Sequence, residues 1–161
     1  MREIKAVILN SENFKDYGQV ISNCQAKPIT NNEEFTYWGK VAELGISEKM
    51  SSGILLARKR EGIIRSLERH MRTPEILIAL EGDSLICMAK PESKVGMDQI
   101  EGIQVFYIHQ GEAIVIHLGT WHGIPVPVNQ EETRFLVIFA SGTEVQDLEV
   151  RDLEEVIMAS I

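Results

Sequence analysis

The chain has 161 residues, 44% hydrophobic and 25% charged, which fits one globular domain over 1–161 and excludes disordered and fibrous classes. Sixteen Lys and Arg against 24 Asp and Glu leave a net charge of −8. That balance sets aside nucleic acid and anionic membrane as partners, since both demand a positive surface, while a small carboxylate substrate stays open.

At the start of the chain, Ala6 to Leu9 is too short an apolar stretch for a secretory leader. The longest apolar run, Phe135 to Ala140, falls far short of the ~20 residues of a membrane helix. A cytoplasmic protein is expected, with Cys24 and Cys87 as reduced thiols in no CxxC pattern and Cys87 as a small core residue. From residue 54 onward, short apolar runs at 54–57, 63–67, 76–80, 85–89, 103–108, 113–116 and 135–140 alternate with glycine-bearing turns. Many short strands at that spacing predict an all-β sandwich or barrel, with Ile78, Ile86, Val115 and Val137 in its core. Near the end, Leu153, Val156 and Ile157 share a helical face, and Asp152 stands three residues before Glu155 as in a capping box. A short C-terminal helix is therefore expected over 152–159. The acids of 144–155 read as solvated surface.

The chemistry concentrates between Gly62 and Val126. Gly62 is followed after five residues by Glu68, then His70, then Glu75 after four more, and Gly82 after six. Strand alternation puts Glu68 and His70 on one face and turns Arg69 the other way. A second unit runs Gly111, five residues, His117, one residue, Gly119, two residues, His122. Each unit is a turn–strand–turn that carries histidine toward one end of a barrel.

These spacings resemble the paired cupin motifs, G-x5-H-x-H-x4-E-x6-G and G-x5-P-x-G-x2-H-x3-N. Glu68 stands at the first His, His117 at the Pro and Val126 at the last Asn. The resemblance implies a double-stranded β-helix of the jelly-roll type, with His70, Glu75 and His122 as ligands of one metal and Glu68 in place of a His ligand. Such a set suits a divalent transition metal: Mn, Fe, Ni or Zn. Phe14-x-x-Tyr17-Gly18-x-Val20-Ile21, Leu67-Glu68-Arg69-His70 and His117-x-x-x-Trp121-His122-x-x-Pro125 are further similar, in register, to the ureidoglycolate lyase family. So is the strand Phe135–Ile138 followed by Ser141-Gly142. Two departures stand out: Gly123 follows His122 where the family commonly has a second His before its Pro, and Glu75 stands where Gln is frequent.

The family implies a homodimeric enzyme of purine (allantoin) breakdown that releases urea from ureidoglycolate to give glyoxylate. On that implication His117 is the expected general base, with Glu68 as ligand, acid–base group or ion-pair partner. Arg72, one of a basic stretch with Arg58, Arg65 and Arg69, is the expected carboxylate-binding residue, and Trp121 a wall of the substrate site. Two other classes compete: a different metal-dependent cupin enzyme, such as a dioxygenase or isomerase of small acids, and a non-enzymatic cupin that binds a small ligand.

Overall fold

The alternating apolar pattern is realised as strands that close over two cores, in a computed structural model that describes residues 1–21, 27–94 and 102–161. The elements in chain order are β1 (Arg2–Lys5), β2 (Val7–Ile8), α1 (Ser11–Phe14), β3 (Gly18–Ile21), β4 (Thr30–Asn31), β5 (Thr36–Tyr37), β6 (Met50–Arg58) and β7 (Ile63–Arg69). They continue with β8 (Glu75–Glu81), β9 (Ser84–Ala89), β10 (Gln104–Ile108), β11 (Ala113–Ile116), β12 (Trp121–His122), β13 (Val126–Pro127), β14 (Glu132–Ala140), α2 (Thr143–Gln146) and β15 (Glu149–Ser160). Cys24 lies outside the described residues. No helix among the described residues is long and apolar enough to cross a membrane.

One sheet runs β1-β15-β7-β12-β9-β10-β2, with β13 also paired to β9, a second runs β3-β11-β8-β14-β6, and β4 and β5 form a separate two-stranded ribbon. The first core lies between the two large sheets. Leu77, Ala79, Ile114, Ile116 and Phe135 from the second sheet meet Ile86, Met88, Phe106 and Ile108 from the first. Phe14 and Tyr17 close it by packing edge-on against Phe106. Leu85, Cys87 and Ala89, the alternate residues of β9, enter a second core with Ile64, Leu67, Trp121, Leu153 and Ile157. Because β9 feeds both cores, all six of its residues are buried. A strand covered on both faces reads as an unbroken apolar run, as Leu85–Ala89 does. The all-β barrel expected from the strand runs, and the jelly-roll implied by the cupin resemblance, is thus the observed fold.

Two expectations are corrected. Residues 152–159 are not a helix: they belong to β15, which pairs in parallel with β1 and antiparallel with β7. A bulge between Asp152 and Ile157 shifts the register, so the buried positions fall at 153, 157 and 159. The four-residue step from Leu153 to Ile157 fits a helical or a strand period equally, and pairing decides for the strand. The helices that do form are the short α1 and α2. Within the barrel, Ile86 is a core residue and Val137 packs against the core as expected. On β8, Leu77 and Ala79 hold the interior positions and Ile78 is only half-buried. On β11, Ile114 and Ile116 face the first core, while Val115 is buried as expected, on the other face of the strand.

Gly62 sets the entry to β7. Its φ is +76°, and a Cβ there would lie 2.3 Å from the Ala159 carbonyl oxygen, so the turn tolerates only glycine without strain. Replacing Ile157, fully buried in the second core, with Ala should cost ~2–5 kcal/mol. Exposed Val150 on the same strand should tolerate Ala within ~0.5 kcal/mol. Urea denaturation of the two variants checks the strand assignment.

Candidate functional site

The chain crosses from one sheet to the other between β7 and β8, and the site sits at that crossing. Glu68 is near the end of β7, His70 follows the strand, and Glu75 opens β8. The two-residue β12 brings His122 alongside, paired across to Glu68 on one side and to Met88 on the other. His70, Glu75 and His122 are buried, and Glu68 is half-buried.

His70 Nε2 lies 3.0 Å from Glu75 Oε2. His122 Nε2 lies 3.4 Å from the same oxygen and 3.7 Å from Glu68 Oε1, yet it makes no hydrogen bond. The opposite ring nitrogens are pinned to main-chain carbonyls: His70 Nδ1 donates to Asp147 at 2.8 Å and His122 Nδ1 to Thr120 at 3.0 Å. A carbonyl only accepts, so both Nδ1 atoms carry hydrogen. In each neutral ring the Nε2 lone pair therefore points into the site, at a carboxylate. Two such lone pairs facing carboxylates are satisfied by a proton or by a cation. Donor atoms of Glu68, His70 and His122 all lie within 4.8 Å of one another. This donor set fits a divalent metal ion, with Glu75 in contact with both imidazoles.

Without a cation the same contacts shift protonation. Burial opposes the charge on His70, but the Glu75 hydrogen bond, the Asp147 carbonyl and the Glu75 charge together hold its pKa above the ordinary histidine value. His122 is likewise raised: burial opposes the charge, and the Glu75 charge and contact, aided by Glu68, outweigh it. Burial pushes Glu75 upward, but the two imidazoles draw it down to about 2. The carboxylate stays ionised in the barrel interior because it faces two potential cations.

A cavity of about 310 Å³ opens above this cluster. Leu55, Leu77, Ile86, Val137 and Phe139 wall it, and the Gly123–Pro125 segment and Glu144 lie along it. Among the described residues, no Lys or Arg lines it.

Glu68, His70, Glu75 and His122 are thus brought together. His117, Arg72 and Trp121 are not in the cavity lining. His117 is exposed, its Nε2 3.4 Å from Gln19 Nε2. Arg72 points to Glu48 at 3.2 Å on the surface. Trp121 is buried in the second core beneath Arg69, whose guanidinium carbon lies 4.3 Å from the ring centroid. Sequence reasoning missed Asp147. Its carbonyl fixes His70, and its carboxylate accepts the main-chain N–H groups of Met71 and Arg72 at 2.9 and 2.8 Å. Placed among six acids in 144–155, it carried no spacing signal.

The family model described as Ureidoglycolate lyase matches residues 1–160. No curated protein matches the chain. A structure of Bacillus subtilis oxalate decarboxylase concerned with its Mn(II) centers is similar at 19% identity and a TM-score of 0.43, over 58% of this chain and 22% of that one. A serine-to-alanine mutant of the same enzyme is similar at 17% identity and 0.45, over 66% and 24%. The chain thus spans under a quarter of the length of those proteins.

The protonation pattern sets the pH response of chelator-treated protein. The raised His70 and His122 contribute stability that is complete below pH 6.5 and lost as pH rises through their folded pKa values. Glu75 contributes above its ordinary 4.5 and loses that contribution as pH falls toward about 2. Chelator-treated protein should therefore gain most from this cluster between about pH 4.5 and 6.5. Glu75→Gln should flatten the alkaline decline, at about 2–4 °C in Tm per kcal/mol, as thermal melts across pH would show.

Proposed function

The chain belongs to the ureidoglycolate lyase family, and from that premise we propose that it cleaves ureidoglycolate to glyoxylate and urea. The observation that carries the reading is the gathering of two buried imidazoles and two carboxylates at one end of an apolar-walled cavity. Ureidoglycolate is a carbinolamine whose central carbon bears a hydroxyl, a carboxylate and a urea nitrogen. Cleavage takes the hydroxyl proton, converts C–O to C=O and breaks the C–N bond. The electron pair of that bond leaves on nitrogen, which takes up a proton. No water is consumed and no net proton is exchanged.

Glu68 suits both transfers. It is the half-buried carboxylate of the site, so it accepts the hydroxyl proton and returns it to the departing nitrogen. Glu75, held near 2 by the imidazoles, stays ionised and keeps His70 and His122 in place. A divalent ion held by His70, His122 and one oxygen of Glu68, with Glu75 beside them, would supply Lewis-acid polarisation of the substrate hydroxyl and positive charge for its carboxylate. Mn, Fe, Ni or Zn all suit mixed imidazole and carboxylate donors. Leu55, Val137 and Phe139 exclude bulk water from the reacting carbon. His117, outside the cavity, takes no part in this scheme.

The reading includes a homodimer working in the cytoplasm, in purine catabolism. Light scattering at micromolar concentration should give twice the monomer mass, and monomer mass would remove the dimer from the proposal.

Three variants test the roles. His122→Ala should lower bound metal and glyoxylate release together while circular dichroism stays that of the barrel. Glu68→Gln should cut turnover by ~10²–10⁴, the usual worth of a positioned acid or base. His117→Ala should leave both metal content and turnover close to the parent protein. Full activity in His122→Ala would overturn the mechanism.

A further inference from the structure

A second pocket, of about 400 Å³, lies beside the catalytic cavity and shares Ile124 with it. Its lining is Arg60, Ile63, Ile64, Arg65, Ser66 and Ile124. β12 pairs with β7 only at Glu68, so the 63–66 stretch of β7 has no partner from β12, and the pocket sits along it.

The arginines here differ from five others in the chain. Arg58, Arg69, Arg72, Arg134 and Arg151 each pair with a glutamate. Arg60 instead donates to the carbonyls of Arg58, Ile124 and Pro125, which carry no net charge. It is half-buried, and that burial draws its pKa down. The Arg65 side chain makes neither an ion pair nor a hydrogen bond among the described residues, and it is exposed. In a chain of net charge −8, two un-neutralised guanidiniums thus line one pocket, beside a serine hydroxyl and over an isoleucine floor. Arg60 is already held by main-chain oxygens, so little side-chain freedom remains to be lost on binding. An apolar floor lowers the local dielectric and strengthens each charge-assisted bond.

We propose that this pocket is a second ligand site, taking a small oxyanion through the Arg60 and Arg65 guanidiniums and the Ser66 hydroxyl. The shared chemistry is a planar or tetrahedral group of oxygens, borne by a small carboxylic acid or by phosphate. The site is separate from the imidazole–carboxylate cluster and does not depend on the reaction assigned to it.

The experiment is calorimetric titration of the metal-loaded protein with inorganic phosphate and, separately, with acetate. The parent protein should bind at least one of them at this pocket, and which one binds identifies the source. Arg65→Ala removes an exposed side chain outside the catalytic cluster, so folding and basal turnover should stay unchanged. Its affinity for the oxyanion should fall by about tenfold to a hundredfold. Arg60→Lys keeps the charge but not the two-pronged donor, and should weaken binding at least several-fold. Amide and guanidinium NMR shifts should map the bound anion to Arg60, Ile63 and Arg65. Equal affinity in parent and Arg65→Ala, or binding that perturbs only His70 and His122, would overturn the proposal. So would a parent protein that binds neither anion.

Discussion

Glu75 places a carboxylate in the barrel interior on the first residue of β8, where the neighbouring interior positions of the sheet are Leu77, Ala79, Ile114 and Phe135. An unpaired charge there would be prohibitively costly to desolvate. It is tolerated because one of its oxygens touches both His70 and His122, and each imidazole is anchored at its far nitrogen by a carbonyl. Removing either ring leaves the carboxylate with half its compensation. Removing the carboxylate leaves the two Nε2 lone pairs without the charge they face. The charge of Glu75 and the two imidazoles therefore depend on one another at the point where the pairing of β7, β8 and β12 brings them together.

That meeting point is held from outside as well. Asp147 grips the turn after His70 through two main-chain amides and receives the imidazole on its own carbonyl. Arg69, projecting from the opposite face of β7, lies over Trp121 and pairs with Glu149 at 2.7 Å. One strand therefore carries the site on its inner face and a clamp on its outer face. The clamp joins β7, β12 and β15, and the strand's backbone cannot shift toward or away from the cavity without disturbing it.

Much of this was legible in the chain itself. The strand runs followed from apolar stretches bounded by glycine turns, the shared face of Glu68 and His70 from strand alternation, and Glu75 and His122 from the resemblance to the cupin motifs. Where the structure places residues differently from the expectation, the cause is identifiable. β15 was hidden because a bulge put Leu153 and Ile157 four residues apart, a step that belongs equally to helix and strand. His117 follows the last residue of β11, and beyond a strand's end alternation no longer dictates direction. Its main-chain N–H bonds to Tyr17 while its ring turns out to Gln19. Ile78 lies off the interior face of β8, because that strand is apolar at consecutive positions and period alone cannot orient it, whereas β11 is buried on both faces. Asp147 acts through a carbonyl, a group every residue possesses, so no sequence pattern marks it.

The crossing between sheets also bears on how the protein matures. Glu68, His70 and Glu75 are neighbours along the chain, but His122 reaches them only after β12 has wedged itself between β7 and β9. β7 in turn is backed by β15, from the far end of the sequence. Contacts this remote close slowly, since chain entropy must be lost before they contribute anything. A nascent chain therefore has no complete set of donors to offer an ion. Under the proposed metal-dependent reading, an ion would be loaded only after barrel closure, as a late arrival and not a template for folding.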